Sequence, residues 1–280
     1  MTGTLYLCAT PIGNLGDISQ RCIEVFNTVD LIAAEDTRRT VQLLNHLGIS
    51  KPLTSYHEHN KREKGAYIIS LLKDGKNVAQ VSDAGTPAIS DPGEDLVKLC
   101  IENDITVTSI PGPVAGINAL ILSGLPTGRF SFEGFLSVNK RNRKEHLDSV
   151  KNDTRTLIFY EAPHKLRTTL SDMAETFGYE RRIALVRELT KLHEEVVRTT
   201  LGEALSLYDE RSPRGEYVLV VEGASLCDVT EEVWWENLSI NEHVEKYIND
   251  GISSKDAIKK AATDRNLPKR DVYNEYHGIK

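Results

Sequence analysis

The chain has 280 residues, 40% hydrophobic and 27% charged, enough apolar content for two ordinary cores and a balance that excludes wholesale disorder. Its net charge of −7 argues against broad nonspecific binding to nucleic acid, although a local basic patch is compatible with it. No apolar run reaches membrane-spanning length and no basic leader precedes one at the start. Cys8, Cys22, Cys100 and Cys227 form no CxxC pair, so the expectation is a cytoplasmic protein with free thiols, no disulfide framework and no metal site.

Residues 4–10 read as a short buried strand that stops at the turn formers Pro11-Ile12-Gly13-Asn14. Ser19 is placed to cap a helix running to about Val29, with Ile23, Phe26 and Val29 on one face. Residues 31–34 form a second buried strand, which delivers Glu35-Asp36-Thr37-Arg38-Arg39 at its end. A helix over 40–47 stops at Gly48, a third strand covers 53–57, and a further helix covers about 63–73. The apolar run at 77–82 leads into Asp83-Ala84-Gly85-Thr86-Pro87, which continues through Asp91-Pro92-Gly93 to a helix at 94–100. A fifth strand at 106–110 ends in Pro111-Gly112-Pro113, and a helix of small residues over 114–123 closes at Gly124. Strands alternating with helices at this spacing predict a mostly parallel sheet covered on both faces. The turn-rich strand ends then lie along one edge, where open α/β sheets bind ligands. The plainer alternative is that Asp83 or Asp91 only caps a helix.

Residues 125–128, Leu-Pro-Thr-Gly, mark a domain boundary. Beyond it, strands are expected at 130–136, 154–161, 182–186, 196–200 and 217–221, with helices between them, giving a mixed sheet. Lys140-Arg141-Asn142-Arg143-Lys144 is the densest basic run; it is either a solvated loop or a contact for RNA phosphate. Residues 227–236 read as a linker anchored by Trp234-Trp235, followed by three short helices resembling a helix-turn-helix, for which packing is an equally good role. The organisation is thus 1–124, 129–226 and a helical tail at 238–280.

GxGxxG, GxxxxGK[ST] and GxSxG are all missing, which disfavours dinucleotide, P-loop and nucleophile-elbow chemistry. His57 and His59 flank Glu58 without a matching carboxylate cluster, so solvated or substrate-facing histidines are a better account than metal ligands.

Taken in order, Thr10-Pro11-Ile12-Gly13-Asn14-Leu15, Ala34-Glu35-Asp36-Thr37-Arg38, the 82–93 stretch, Pro111-Gly112-Pro113, Tyr160-Glu161-Ala162-Pro163-His164 and Arg187-Glu188-Leu189-Thr190-Lys191 closely resemble the tetrapyrrole methylase superfamily. Within it, they resemble the branch that methylates small-subunit ribosomal RNA. The resemblance implies an α/β protein of two domains with S-adenosylmethionine in the cleft between them. It implies 2′-O-methylation of a cytidine ribose in 16S rRNA, free or in the assembled subunit, by a homodimer. Carried over residue by residue, Pro11 and Gly13 line the cleft floor, and Asp83, Gly85, Thr86 and Pro87 hold the methionine and ribose part. Val114 and Ala115 border the cofactor. Tyr160, Glu161, Ala162 and Pro163 cover the adenine side, and Gly215 and Glu216 complete that wall. Many relatives carry Ser where this chain has Val114, which removes a hydroxyl contact and leaves the backbone one.

Methyl transfer from a sulfonium is an in-line displacement in which a ribose hydroxyl must lose its proton. Glu35, Asp36 and Glu188 are the candidate bases. Arg38, Arg39 and Lys191, with Lys140, Arg141, Arg143 and Lys144, are the candidate RNA contacts. Ordinary strand-end ion pairs are the competing account of the first three cations and of the three carboxylates. Two rival functions stand beside this one: methylation of a small macrocycle, and a noncatalytic ribosome-assembly factor.

Overall fold

The computed structural model describes residues 2–225, 235 and 238–278; of the expected linker at 227–236 only Trp235 falls among them. The chain divides into two compact units, Met1–Ala224 and Ser225–Lys280. The larger unit holds two five-stranded sheets.

The first sheet is built from β1 (Thr4–Cys8), β2 (Leu31–Ala34), β3 (Leu53–Ser55), β4 (Val78–Val81) and β5 (Thr106–Ile110), in the order β3-β2-β4-β1-β5. Every pairing is parallel. All positions of β2 and β4 are buried, as both faces of a parallel sheet require. α1 (Gln20–Thr28) and α2 (Thr37–His46) cover one face through Cys22, Val25, Phe26 and Leu44. α3 (Lys61–Lys73) and α4 (Gly93–Glu102) cover the other through Ile68, Leu72, Leu96 and Cys100. Two of the differences from the expected bounds have a local cause. α2 starts three residues early because the Asp36 side chain accepts the Arg38 N–H at 2.9 Å and caps it. β3 ends at Ser55 because Asn60 Oδ1 accepts the His57 N–H at 2.8 Å and bends the chain.

α5 (Ala115–Ser123) leaves the first sheet and packs on the second. Its Ala119 and Leu120 meet Ile158, Ala184, Val186, Val218 and Val220. The second sheet has β6 (Phe130–Phe135), β7 (Thr156–Glu161), β8 (Arg182–Arg187), β9 (Glu195–Thr200) and β10 (Tyr217–Val221) in the order β6-β7-β10-β8-β9. β6 runs parallel to β7 and the other pairings are antiparallel, giving the mixed sheet the sequence predicts. α6 (Lys140–Val150), α7 (Leu166–Phe177) and α8 (Leu201–Glu210) cover its opposite face. The two sheets lie on either side of the 125–128 boundary but share one compact unit, and α5 joins them as a helix of one half packed on the sheet of the other.

The basic run at 140–144 is a helix start rather than a loop. Asn139 accepts the Arg141 and Asn142 N–H groups and caps α6. One of its RNA candidates must be withdrawn. Arg143 is buried, with its Nε 2.5 Å from Asp172 Oδ2 and its Nη1 donating to the Ser137 and Val138 carbonyls. A guanidinium so committed ties α6 to α7 and is not presented to a ligand.

In the smaller unit, α9 (Ile240–Asn249), α10 (Ser254–Asp264) and α11 (Lys269–Tyr276) close on Val244, Ala257, Ile258, Ala261 and Val272. Among the described residues no helix is long and apolar enough to cross a membrane.

Candidate active site

The parallel strands of the first sheet end on one edge, and their turns are tied to one another. Thr10 and Gly85 exchange both backbone hydrogen bonds, at 2.9 and 3.0 Å. Thr86 Oγ1 donates to the Pro113 carbonyl at 3.0 Å. Asp83 reaches the neighbouring turn: its Oδ1 accepts the Asp36 N–H at 2.9 Å and its Oδ2 lies 3.3 Å from Arg39 Nη1. Ala88 and Ser90 have φ of 67° and 61°, a conformation that costs on the order of 1 kcal/mol each. Asp91 Oδ1 holds that bend by accepting the Ala88 and Gly93 N–H groups at 2.9 and 2.7 Å. Asp91 Oδ2 is buried with no partner among the described residues.

From the second sheet come larger side chains. Register places Glu161, Tyr217 and Arg187 in one row across β7, β10 and β8, with Tyr160, Val218 and Val186 in the row before. The Tyr160 hydroxyl accepts the Gly116 N–H at 3.0 Å, locking α5 against β7. Phe132 and Phe135 both meet the Tyr160 ring, at 5.0 and 5.5 Å between centroids. Strict alternation would put these two phenylalanines on opposite faces. A bulge between Phe132 and Gly134, with Gly134 at φ 65°, returns Phe135 to the same side.

Between these walls lies a cavity of about 440 Å³, within the range of small-molecule sites. Of the residues expected at the cofactor, Asp83, Gly85, Thr86, Val114, Ala115, Tyr160, Glu161, Ala162 and Glu216 line it. Pro11, Gly13, Pro87, Pro163 and Gly215 do not. Their neighbours Ile12 and Ala162 take the lining positions. The open side of Gly13 is filled by the 189–191 loop, where a Cβ would lie 2.5 Å from Lys191 Cγ. Gly215, at φ 75°, is backed by Glu188, whose carboxylate a Cβ would overlap.

The three candidate bases separate. Glu35 lines the cavity, and burial, reinforced by the charge of Asp83, raises its carboxyl above the ordinary range. Asp36 does not line it; the Arg38 guanidinium bonded to it lowers its carboxyl to about 2. Glu188 lines the cavity. Burial pushes its carboxyl up, but the hydrogen bond from Lys191 at 3.0 Å and that from the Glu216 N–H outweigh burial and leave it low. Of the cations, Arg39 and Lys191 line the cavity. Arg38 is exposed on Asp36, and Lys140, Arg141 and Lys144 lie on α6 away from it.

Sequence reasoning missed Ile12, Phe135, Val186, Leu189, Tyr217 and Val218. Gly134 was the one local signal for Phe135. Nothing local marks Val186, Tyr217 and Val218, which reach the cavity only because β10 lies between β7 and β8. Among the described residues no group of three His, Cys, Asp or Glu side chains is placed to hold a metal ion.

The model of the Tetrapyrrole (Corrin/Porphyrin) Methylases matches residues 4–205. A protein of Halalkalibacterium halodurans named ribosomal RNA small subunit methyltransferase I is 53% identical over 98% of this chain and 95% of its own. Its namesake in Bacillus subtilis is 52% identical over 98% of this chain and 94% of its own. Among solved structures, uroporphyrin-III C-methyltransferase from Thermus thermophilus, complexed with S-adenosyl homocysteine, superposes with a TM-score of 0.55 at 15% identity, over 79% of this chain and 97% of that one.

Proposed function

This chain belongs to the tetrapyrrole methylase family, and from that premise we propose that it methylates the 2′-hydroxyl of a cytidine ribose in small-subunit (16S) ribosomal RNA. Its cofactor is S-adenosylmethionine. The coarser part, a methyltransferase of small-subunit rRNA, is supported by relatives of that name at 52–53% identity over nearly the whole chain. The observation that supports the chemistry is the cavity itself. One wall is made of small residues and tied backbone, and Glu35, with its raised proton affinity, stands in that cavity.

The cavity fits the cofactor in size and in charge. Glu35, Asp83 and Asp91 gather three carboxyl groups on its first-sheet side, an environment that favours a cation. Asp83, Gly85, Thr86, Val114 and Ala115 would hold the cofactor from that side, and Tyr160 and Ala162 from the other. When bound, its sulfonium supplies an electrophilic methyl group to an oxygen nucleophile lying in line with it. Glu35 takes the proton of the ribose hydroxyl; a carboxylate of raised proton affinity is the better base for so weak an acid. Lys191, pushed up by Glu188 and Glu216 against the effect of burial, and Arg39 place positive charge where a hydroxyl losing its proton gains from it. Asp83 fixes the turn that carries Glu35 and orients Arg39.

The substrate is free rRNA or the small subunit, in the cytoplasm. The protein acts as a homodimer, for which the exposed Ile117 and Ile121 of α5 and Phe130 and Phe132 of edge strand β6 offer an apolar face; light scattering checks this. For the activity, the protein is mixed with methyl-labelled S-adenosylmethionine and 16S rRNA, free or in subunits, from a strain lacking the modification. Digestion is expected to yield labelled 2′-O-methylcytidine. In a parallel mixture with a porphyrin-type macrocycle, label there and none on rRNA would establish the small-molecule reading, and bound rRNA without label the assembly-factor reading.

A further inference from the structure

A second cavity, of about 670 Å³, is lined by the end of β8, the loop after it and the 210–215 turn. Glu188 lines both cavities, and the missing Cβ of Gly215 is what lets the 212–216 turn close against it. The second cavity differs in chemistry from the first. It is lined by Arg187, Arg211, Arg214 and His193, with Glu210 also in its wall. Glu195 organises two of these cations: it accepts Arg187 Nε at 3.0 Å and both terminal nitrogens of Arg211 at 2.8 and 2.9 Å. The terminal nitrogens of Arg187 are left without a partner among the described residues, and Arg187 is held in place while keeping donors to offer. The Arg214 side chain is exposed and makes no ion pair among the described residues. The charge of Glu188 is answered by Lys191. The loop that carries His193 is set by two left-handed residues, Glu188 at φ 51° and Thr190 at φ 66°, with the Thr190 N–H bonded to Glu194 Oε2 at 2.7 Å. Backbone conformations of this cost persist where the surroundings impose them.

Unengaged guanidinium donors on a fixed frame are suited to a phosphate, whose oxygens take paired N–H donors. We infer that this second cavity receives a phosphodiester of the RNA beside the ribose being methylated, on Arg187, Arg214 and His193. The inference rests on the reading of the first cavity as the site of ribose methylation. Glu188 lines both cavities, so a strand with its ribose at Glu35 and Lys191 carries a neighbouring phosphate past Glu188. Base identity is not read here. The contact sets position and affinity, which is the role of phosphate contacts in nucleic-acid recognition.

The test uses the full chain with Arg214→Ala, Arg214→Glu, Arg214→Lys and His193→Ala. All four changes are at exposed positions, and unchanged thermal melts establish that the variants fold. Arg214→Ala is expected to raise the KM for 16S rRNA about tenfold, as loss of a hydrogen bond between charged groups does, and Arg214→Glu more. Arg214→Lys recovers most of the loss. The slope of log KM against log salt falls by about one, while kcat and the affinity for S-adenosylmethionine stay within about twofold. Wild-type KM and salt slope in every variant, with wild-type protein methylating rRNA, would overturn the second cavity and leave the methylation reading standing. A fall in kcat at constant KM would also overturn it. If wild type transfers no methyl to rRNA, the methylation reading fails first; filter binding of the same RNA to wild type and Arg214→Glu then decides the cavity separately, equal binding overturning it.

Discussion

The two sheets reach the same cavity by different means. The first sheet contributes backbone: parallel strands end on one edge, and their turns are bonded to one another through Thr10, Gly85, Thr86 and Pro113. The second sheet contributes side chains: Tyr160 in one row with Val218 and Val186, Phe135 from the edge strand β6, and Glu188 and Lys191 from the loop after β8. A wall made of tied backbone tolerates side-chain replacement as long as the turns hold. A wall made of projecting side chains loses its function with each one removed. Glu35 and Asp83 are the exceptions in the first wall, and the comparison is most sharply probed there.

The largest effect is expected at Glu35. Glu35→Gln should lower kcat by about a hundredfold or more, the usual contribution of a general base. The sign of the stability change differs from that of the activity. A carboxyl whose folded pKa is raised favours folding while protonated, and that contribution is lost as pH rises through the folded value. At neutral pH the ionised Glu35 therefore opposes folding, and Glu35→Gln should keep or slightly raise the melting temperature. The same shift governs the rate. Methyl transfer should fall as pH drops through a value above the ordinary glutamate range, and this limb should vanish in Glu35→Gln. A wild-type rate that stays flat down to the ordinary range would remove Glu35 from the role.

Next in size is Arg143. Breaking its buried pair with Asp172 by Arg143→Ala should cost roughly 3 kcal/mol of stability in urea unfolding. Arg141→Ala, on an exposed i,i+4 pair with Glu145, should cost about 0.5 kcal/mol or less. Equal costs would break the distinction between a positioned and a solvated member of the same basic run. Asp83→Asn keeps the size of the side chain but weakens its hold on Asp36 and Arg39; about a tenfold loss of cofactor affinity is expected, read by calorimetry. The smallest effect on cofactor binding is expected at Gly134. Gly134→Ala strains a left-handed position by about 1 kcal/mol, and displacement of Phe135 should weaken cofactor binding a few-fold while leaving kcat unchanged. A loss at Gly134 larger than that at Asp83 would reverse the ranking of the two walls.

Much of the fold was legible in particular stretches. Alternation of apolar runs with capped helices revealed the parallel sheet, because a strand buried on both faces is apolar throughout, as Leu31–Ala34 and Val78–Val81 are. The turn formers after β1, β4 and β5 marked the site edge, because parallel strands share a direction and their ends must share an edge. Asp36 and Arg143 were misread for a common reason. A charged side chain looks the same in sequence whether it faces a ligand or a partner, and the partners here, Arg38 and Asp172, settle the question. The Asp36 cap and the Asn139 cap were available locally and would have corrected the start of α2 and the loop at 140–144.

The sequence by itself determined most of the strands and helices, which turns are built of Gly and Pro, and, through the ordered motifs, the family. Those properties depend on residues close together in the chain. Tertiary structure alone decided that β10 sits between β7 and β8, that Phe135 turns inward at a bulge, and that Glu35 rather than Asp36 stands in the cavity with a raised carboxyl. Each of these depends on which distant group comes to lie within a few ångströms, and desolvation and charge coupling at that range have no signature in local sequence.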